Sequence, residues 1–310
     1  MMVGIATAMR DIFGLSRAIT TINGQASRIR EVYDKVAASA SSAGGSRTAA
    51  ASGMSTAKSV LIKGLHVATP GETENGGGKV LLSDLNLEIQ GTSRGVLIRG
   101  PNGAGKSSLF RVLAGVWQPR EGTVSMPGLV GSSSGTTDSP VAGRPSVMFL
   151  PQRPYLVPGA TLRENLLYPT ATAAGTANGA SAEGNDGVDS MILTLLSEFG
   201  LTRPSEFDTA AEWLSDRAWA TSHASPGMRQ RLCAVRLLLA QPTFAFVDEA
   251  TAHTSSEFEL QFFTRCRQLG ITLITISHST SDSLVQHHDK VLELDGDGGF
   301  SVAPVAAAKP

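Results

Sequence analysis

A glycine-rich octapeptide at residues 100–107, GPNGAGKS, constrains this chain more than any other feature. It meets every fixed position of the pattern G-x-x-x-x-G-K-[ST]. The run before it, Gly95-Val96-Leu97-Ile98-Arg99, predicts a short buried strand, and Ser107 to Ala114 (SSLFRVLA) predicts a helix. Strand, glycine loop and helix together are the context in which this pattern cradles phosphate. Glycines let successive backbone N–H groups face inward as an anion nest, and the helix adds the positive end of its dipole. The residues expected to form the cradle are Gly100, Pro101, Asn102, Gly103, Ala104, Gly105, Lys106, Ser107 and Ser108. Lys106 is expected to reach the β- and γ-phosphates, and the Ser107 hydroxyl to coordinate Mg²⁺.

Length and composition narrow the setting. With 310 residues and 41% hydrophobic content, the chain can bury the core of one large or two modest domains. The formal net charge of −1 argues against a nucleic-acid partner bound through bulk charge. The two cysteines, Cys233 and Cys266, have neither metal-ligand spacing nor the look of a disulfide framework, as expected of a cytosol-facing protein. No run of 18 apolar residues appears, so these 310 residues are not expected to cross a bilayer. The N-terminus lacks the order of a signal peptide.

Residues 1–37 carry Ile5, Met9, Ile12, Ile19, Ile22, Ile29, Val32 and Val36 at roughly helical spacing with basic residues between them. One or two amphipathic helices are expected, packed on a core or lying against a membrane or partner. Residues 38–58 read as an Ala/Ser/Gly linker. The tracts near 130–145 and 170–187 hold almost no large apolar side chains and read as disordered insertions. The ordered body is expected over 59–303, with 304–310 as a tail. Within it, Val60-Leu61-Ile62 and the alternating Leu85, Leu87 and Ile89 predict strands with one wet face. Ser146–Leu150, Phe244–Val247 and Ile271–Ile276 predict strands buried on both faces, as in a parallel sheet. Helical patterns lie at Val188–Phe199, Met228–Ala240 and Glu257–Leu269, and Val291–Phe300 reads as a closing hairpin. The alternation predicts an α/β fold with helices over a mainly parallel sheet.

Polar residues collect at the predicted strand ends, where ligands bind in open α/β sheets. Asp248 is placed to hold Mg²⁺, and Glu249 to polarise a water for in-line attack on the γ-phosphate. Gln152, in Leu150-Pro151-Gln152, can meet Mg²⁺ or that water through its amide oxygen. His278, after Ile271–Ile276, can donate to the γ-phosphate. The order of phosphate loop, Gln152, a helix start at Ser225–Arg231, Asp248-Glu249 and His278 resembles the ATP-binding-cassette family over about residues 60–303. Three stretches resemble its subfamily D, the half-transporters of fatty acids and acyl-CoA esters in peroxisomes and related organelles. They are RGPNGAGKSSLFRVLAGVW (Arg99–Trp117), LPQRPYLVPGATLRENLLYP (Leu150–Pro169) and ISHSTS…LELDGDGGF (Ile276–Phe300). The tail of 1–37 is similar to the helix that follows the last membrane span there.

The resemblance implies a P-loop NTPase fold, with a mainly parallel core sheet, an antiparallel β subdomain and a helical subdomain. It implies ATP and Mg²⁺ as ligands, and a head-to-tail dimer, either a homodimer or a heterodimer with another half-transporter. Each nucleotide is expected between the phosphate loop of one subunit and the signature segment of the other, here Ser225 and Gly227. It further implies a membrane-spanning domain, missing from these residues or on a separate chain, and a peroxisome-type membrane with the nucleotide domain facing the cytosol. Besides the missing membrane domain, which is the largest departure, the chain departs from the family pattern in three places. The signature, usually LSGGQ or LSGGE, reads Ala224-Ser225-Pro226-Gly227-Met228, and Pro226 removes an N–H. The segment after Glu249 reads Ala252-His253-Thr254-Ser255. No aromatic residue precedes Gly100 at the usual adenine position, so the base is expected to rest on aliphatic side chains such as Val67 or Val80. Three readings follow: a transport ATPase, a regulatory ATP-binding subunit with weak hydrolysis that needs a partner half, and a soluble P-loop enzyme such as a kinase. The family order of Gln152, the signature remnant and His278 argues against the last.

Overall fold

The computed structural model describes residues 59–69, 78–127, 145–169, 185–249, 254–277 and 282–305. The expected segment 1–37, the linker, most of both insertions and His278 lie outside the described residues.

The described residues open with two long strands, β1 (Ser59–Ala68) and β2 (Val80–Gln90), followed by β3 (Gly95–Arg99) and α1 (Lys106–Leu113). Next come β4 (Glu121–Ser125), β5 (Val147–Leu150), α2 (Leu162–Leu167), α3 (Asn185–Glu198), α4 (Ala210–Ser215), α5 (Trp219–Ser222) and α6 (Pro226–Ala240). The last part runs β6 (Phe244–Asp248), α7 (Ser256–Gln268), β7 (Thr272–Ile276), α8 (Asp282–Val285), β8 (Lys290–Leu294) and β9 (Phe300–Pro304). Helix α3 begins three residues before the Val188 chosen from periodicity, so residues 185–187 belong to it rather than to the insertion. Strand β9 carries the ordered body past 303, and the Val305 N–H donates to the Asp289 carbonyl.

Two sheets result. One is antiparallel, in the order β2-β1-β4; the other has six strands in the order β5-β6-β7-β3-β8-β9, parallel except for the β8–β9 hairpin. The period of two along each central strand divides the interior. Val96, Ile98, Phe244, Phe246, Ile274 and Ile276 face the cluster shared with α1 and the antiparallel sheet. Leu97, Ala245, Val247 and Leu273 face the cluster built with α2 to α7. Burial on both faces explains why these strands read as continuous apolar runs.

The parallel register also gathers the strand ends. Ile98 pairs with Ile276, Asp248 with Ile276, and Leu150 with Val247. The chain therefore leaves β3, β5, β6 and β7 along one edge of the sheet, the carboxyl edge where α/β sheets bind ligands.

Candidate nucleotide site

The loop from Gly100 to Gly105 links β3 to α1, with Gly105 at the N-cap in a left-handed conformation (φ 95°). A Cβ there would lie 2.9 Å from the Leu81 Cβ, so the residue must be glycine for both backbone and packing reasons. Gly103 also has positive φ (81°), but its side-chain direction meets open space, so the loop wall stays free on that side. Helix α1 starts without a side-chain cap. The N–H groups of its first turn, at Lys106, Ser107 and Ser108, are thus left to an external acceptor, and an anion is the natural one. Pro101, Asn102 and Gly103 are exposed, Ala104 is buried, and Ser107 and Ser108 are half-buried.

Lys106 is only 5% exposed. Its amine donates to the carbonyls of Gly100 (2.7 Å) and Pro101 (2.9 Å), which holds it along the inside of the loop. Burial pulls its pKa below the usual lysine value, and the carboxylates of Glu249 and Asp248 act in the opposite direction. Both carboxylates thus lie near enough for their charge to favour the ammonium form of Lys106.

Asp248 is the last residue of β6 and is 8% exposed. Glu249 follows with positive φ (46°), an uncommon conformation for a non-glycine residue, while its N–H donates to the Ile276 carbonyl. Such strain on a polar residue at a strand end points toward function rather than packing. Gln152, exposed after β5, donates its Nε2 to Glu249 Oε2 at 2.8 Å. A carboxylate only accepts, so the NH₂ of the amide faces Glu249 and the amide oxygen is directed elsewhere.

The structure therefore brings together the loop, Lys106, Asp248, Glu249 and Gln152. Ser225 and Gly227 belong elsewhere: they open α6, which packs against α2, α3, α7 and β5, whereas α1 packs on β1 and β6. Ser225 is the α6 N-cap, its side chain accepting from Met228 N at 3.3 Å, with Pro226 at the first helical position. Val67 is buried and cannot support a base, whereas Val80 is exposed. Among the described residues no three His, Cys, Asp or Glu side chains form a metal cluster. The oxygens of Ser107, Asp248 and Gln152 are instead a hard donor set that suits Mg²⁺ shared with phosphate. Sequence reasoning missed Asn165 and Arg236, two buried polar residues behind Gln152. The signal for Arg236 was a charge inside the apolar run Leu232–Ala240.

Residues 82–252 match the ABC transporter family. The chain belongs to that family. Its ABC domain is an ATP-binding domain of the P-loop class. It is 34% identical over 296 residues to the ABC transporter D family member 1 of Arabidopsis thaliana, a match covering 93% of this chain and 19% of that protein. It is 36% identical over 228 residues to the human lysosomal cobalamin transporter ABCD4, covering 72% of this chain and 33% of that one. The chain thus spans about a fifth to a third of these D-family relatives. Among solved structures, the ATP-binding subunit of an ABC transporter superposes with a TM-score of 0.55 at 19% identity, over 79% of this chain and 90% of that one. That likeness concerns the fold. No helix among the described residues is long and apolar enough to cross a membrane.

Proposed function

We propose that this ABC domain is the ATP-hydrolysing motor of a D-type transporter that moves fatty acids or acyl-CoA esters across a peroxisome-like membrane, with the domain facing the cytosol. The arrangement that carries this reading is the buried Lys106 amine, under the charge of Asp248 and Glu249, with Gln152 bonded to Glu249. Backbone N–H groups of residues 100–108 and Lys106 bind the triphosphate. Ser107, Asp248 and the Gln152 amide oxygen would hold Mg²⁺, which supplies charge neutralisation of the phosphates when bound. Glu249 orients the attacking water and takes its proton, and His278 donates to the γ-phosphate.

Ser225 and Gly227 complete the site of a second copy or of another half-transporter in a head-to-tail dimer. The spans that carry substrate belong to a longer polypeptide, as the short coverage of the D-family relatives supports. A separate membrane subunit is the alternative. In the first case residues 1–37, outside the described residues, would follow the last span, with 38–58 as the linker.

A regulatory role is the second reading, and Pro226 favours it. The proline suits the start of α6 yet offers no N–H to a partner's phosphate. One missing charge-assisted bond is worth on the order of 1.5–3 kcal/mol.

ATP titration and turnover with millimolar Mg²⁺ test the proposal. Lys106→Ala should weaken ATP binding by roughly tenfold to a hundredfold. Glu249→Gln should keep affinity, lose about 10²–10⁴-fold in turnover and accumulate a dimer on size exclusion with ATP. Parental turnover in Glu249→Gln rejects the base assignment. A parent chain without affinity for ATP rejects the whole reading.

A further inference from the structure

Two buried polar side chains grip the segment that follows Gln152. Asn165, in α2, is 1% exposed. Its Oδ1 accepts from Val157 N at 2.7 Å, and its Nδ2 donates to the carbonyls of Val157 (3.2 Å), Ala160 (3.3 Å) and Thr161 (3.2 Å). Arg236, in α6, is 6% exposed. Its Nε donates to the Asn165 carbonyl at 2.7 Å and its Nη1 to the Tyr155 carbonyl at 2.9 Å, with the guanidinium over the Tyr168 ring. The main-chain atoms of residues 155 and 157 are thus tied to side chains of α6 and α2, the Arg236 bond being charge-assisted. Only Arg153 and Pro154 separate Tyr155 from Gln152. Proline sets its own φ and restricts the residue before it, so this spacer is stiff.

A buried arginine among leucines does not serve packing well. An apolar residue of the same volume often stabilises a core as much or more, which leaves specificity of arrangement as the gain. We propose that Arg236 and Asn165 are positioning residues for Gln152. They hold Tyr155 on α6 and Val157 on α2, which Arg236 ties to α6 in turn, so that the Gln152 amide meets Glu249 only when α6, with Ser225 at its start, is correctly placed. This rests on the reading above, in which Gln152 meets the water or Mg²⁺ of the nucleotide.

The test is a mutant cycle in the full chain: Asn165→Ala, Arg236→Lys and Gln152→Ala, singly and with each clamp variant added to Gln152→Ala. Each clamp variant should lower kcat for ATP about tenfold, with KM changed by less than about twofold. In the Gln152→Ala background each should add less than about twofold, because its effect passes through Gln152. Losses that multiply fully in the doubles overturn the proposal. Arg236→Lys keeps the charge and serves if Asn165→Ala does not fold. A parent without turnover defeats the functional reading separately. The clamp is then decided by hydrogen exchange: faster exchange at Val157 in Asn165→Ala must spread to Gln152 and Arg153, and a rise confined to Val157 overturns it.

Discussion

His288 shows how far one side chain can bind stability to pH. It is 0% exposed and lies between α8 and β7. A carbonyl only accepts, so Nδ1 carries the proton to the Leu284 carbonyl (3.0 Å), and Nε2 accepts from the Thr275 hydroxyl (2.8 Å). This satisfies the neutral ring, and burial pushes its pKa down to about 4. The unfolded chain takes up this proton near pH 6.5 while the folded chain refuses it until about pH 4. Stability is therefore full above pH 6.5 and falls as pH drops toward 4, by about 3 kcal/mol in all. Urea midpoints at pH 7.5 and 4 should show this loss in the parent and not in His288→Gln, whose amide keeps both bonds without titrating. Equal losses in both proteins would remove His288 from the account.

At the scale of elements, α6 carries a tension between a good start and a poor partner surface. Ser225 caps it, and Pro226 has the right φ for its first turn. Arg229 turns back to donate to the carbonyls of Ala224 (3.0 Å) and Thr221 (2.7 Å), closing the end of α5. Replacing Pro226 with Gly should cost about 0.4–1 kcal/mol by loosening the unfolded chain. The same change combined with Met228→Gln should raise ATP turnover about tenfold if the missing N–H limits hydrolysis. A lower denaturation midpoint with unchanged turnover would clear the signature of any defect. Helix α2 is set differently, by a reciprocal capping box between Thr161 and Glu164, the residue directly before Asn165.

At the scale of the molecule, the six-stranded sheet is the plate on which the site rests. Phe246 is fully buried and stacks on Phe149 with centroids 4.6 Å apart, and Phe149 meets Phe110 of α1 edge-on at 5.5 Å. This aromatic column supports the helix that follows the phosphate loop. Phe246→Ala should cost about 3–5 kcal/mol in urea denaturation. It should also weaken ATP binding, because α1 loses its floor. A stability loss of that size with unaltered affinity would show that α1 is held by other contacts.

Much of this was legible in the chain before any coordinates. Strands β3, β5, β6 and β7 announced themselves because burial on both faces demands unbroken apolar runs, and the Ser225–Pro226 start of α6 follows from capping chemistry alone. Strand β4 was missed, since a half-wet edge strand reading EGTVS carries little apolar signal. Helices α4 and α5 were missed because helices of six and four residues are too short to display a period. The sequence by itself determined the ligand class, since the loop's glycines, Lys106 and Ser107 act through local geometry within a few residues. Only the tertiary structure decided that Gln152 bonds Glu249, 97 positions away, and that Arg236 anchors the backbone at Tyr155. Those contacts depend on strand order and helix packing, which arise from the summed burial of the whole sheet and leave no mark at any single position.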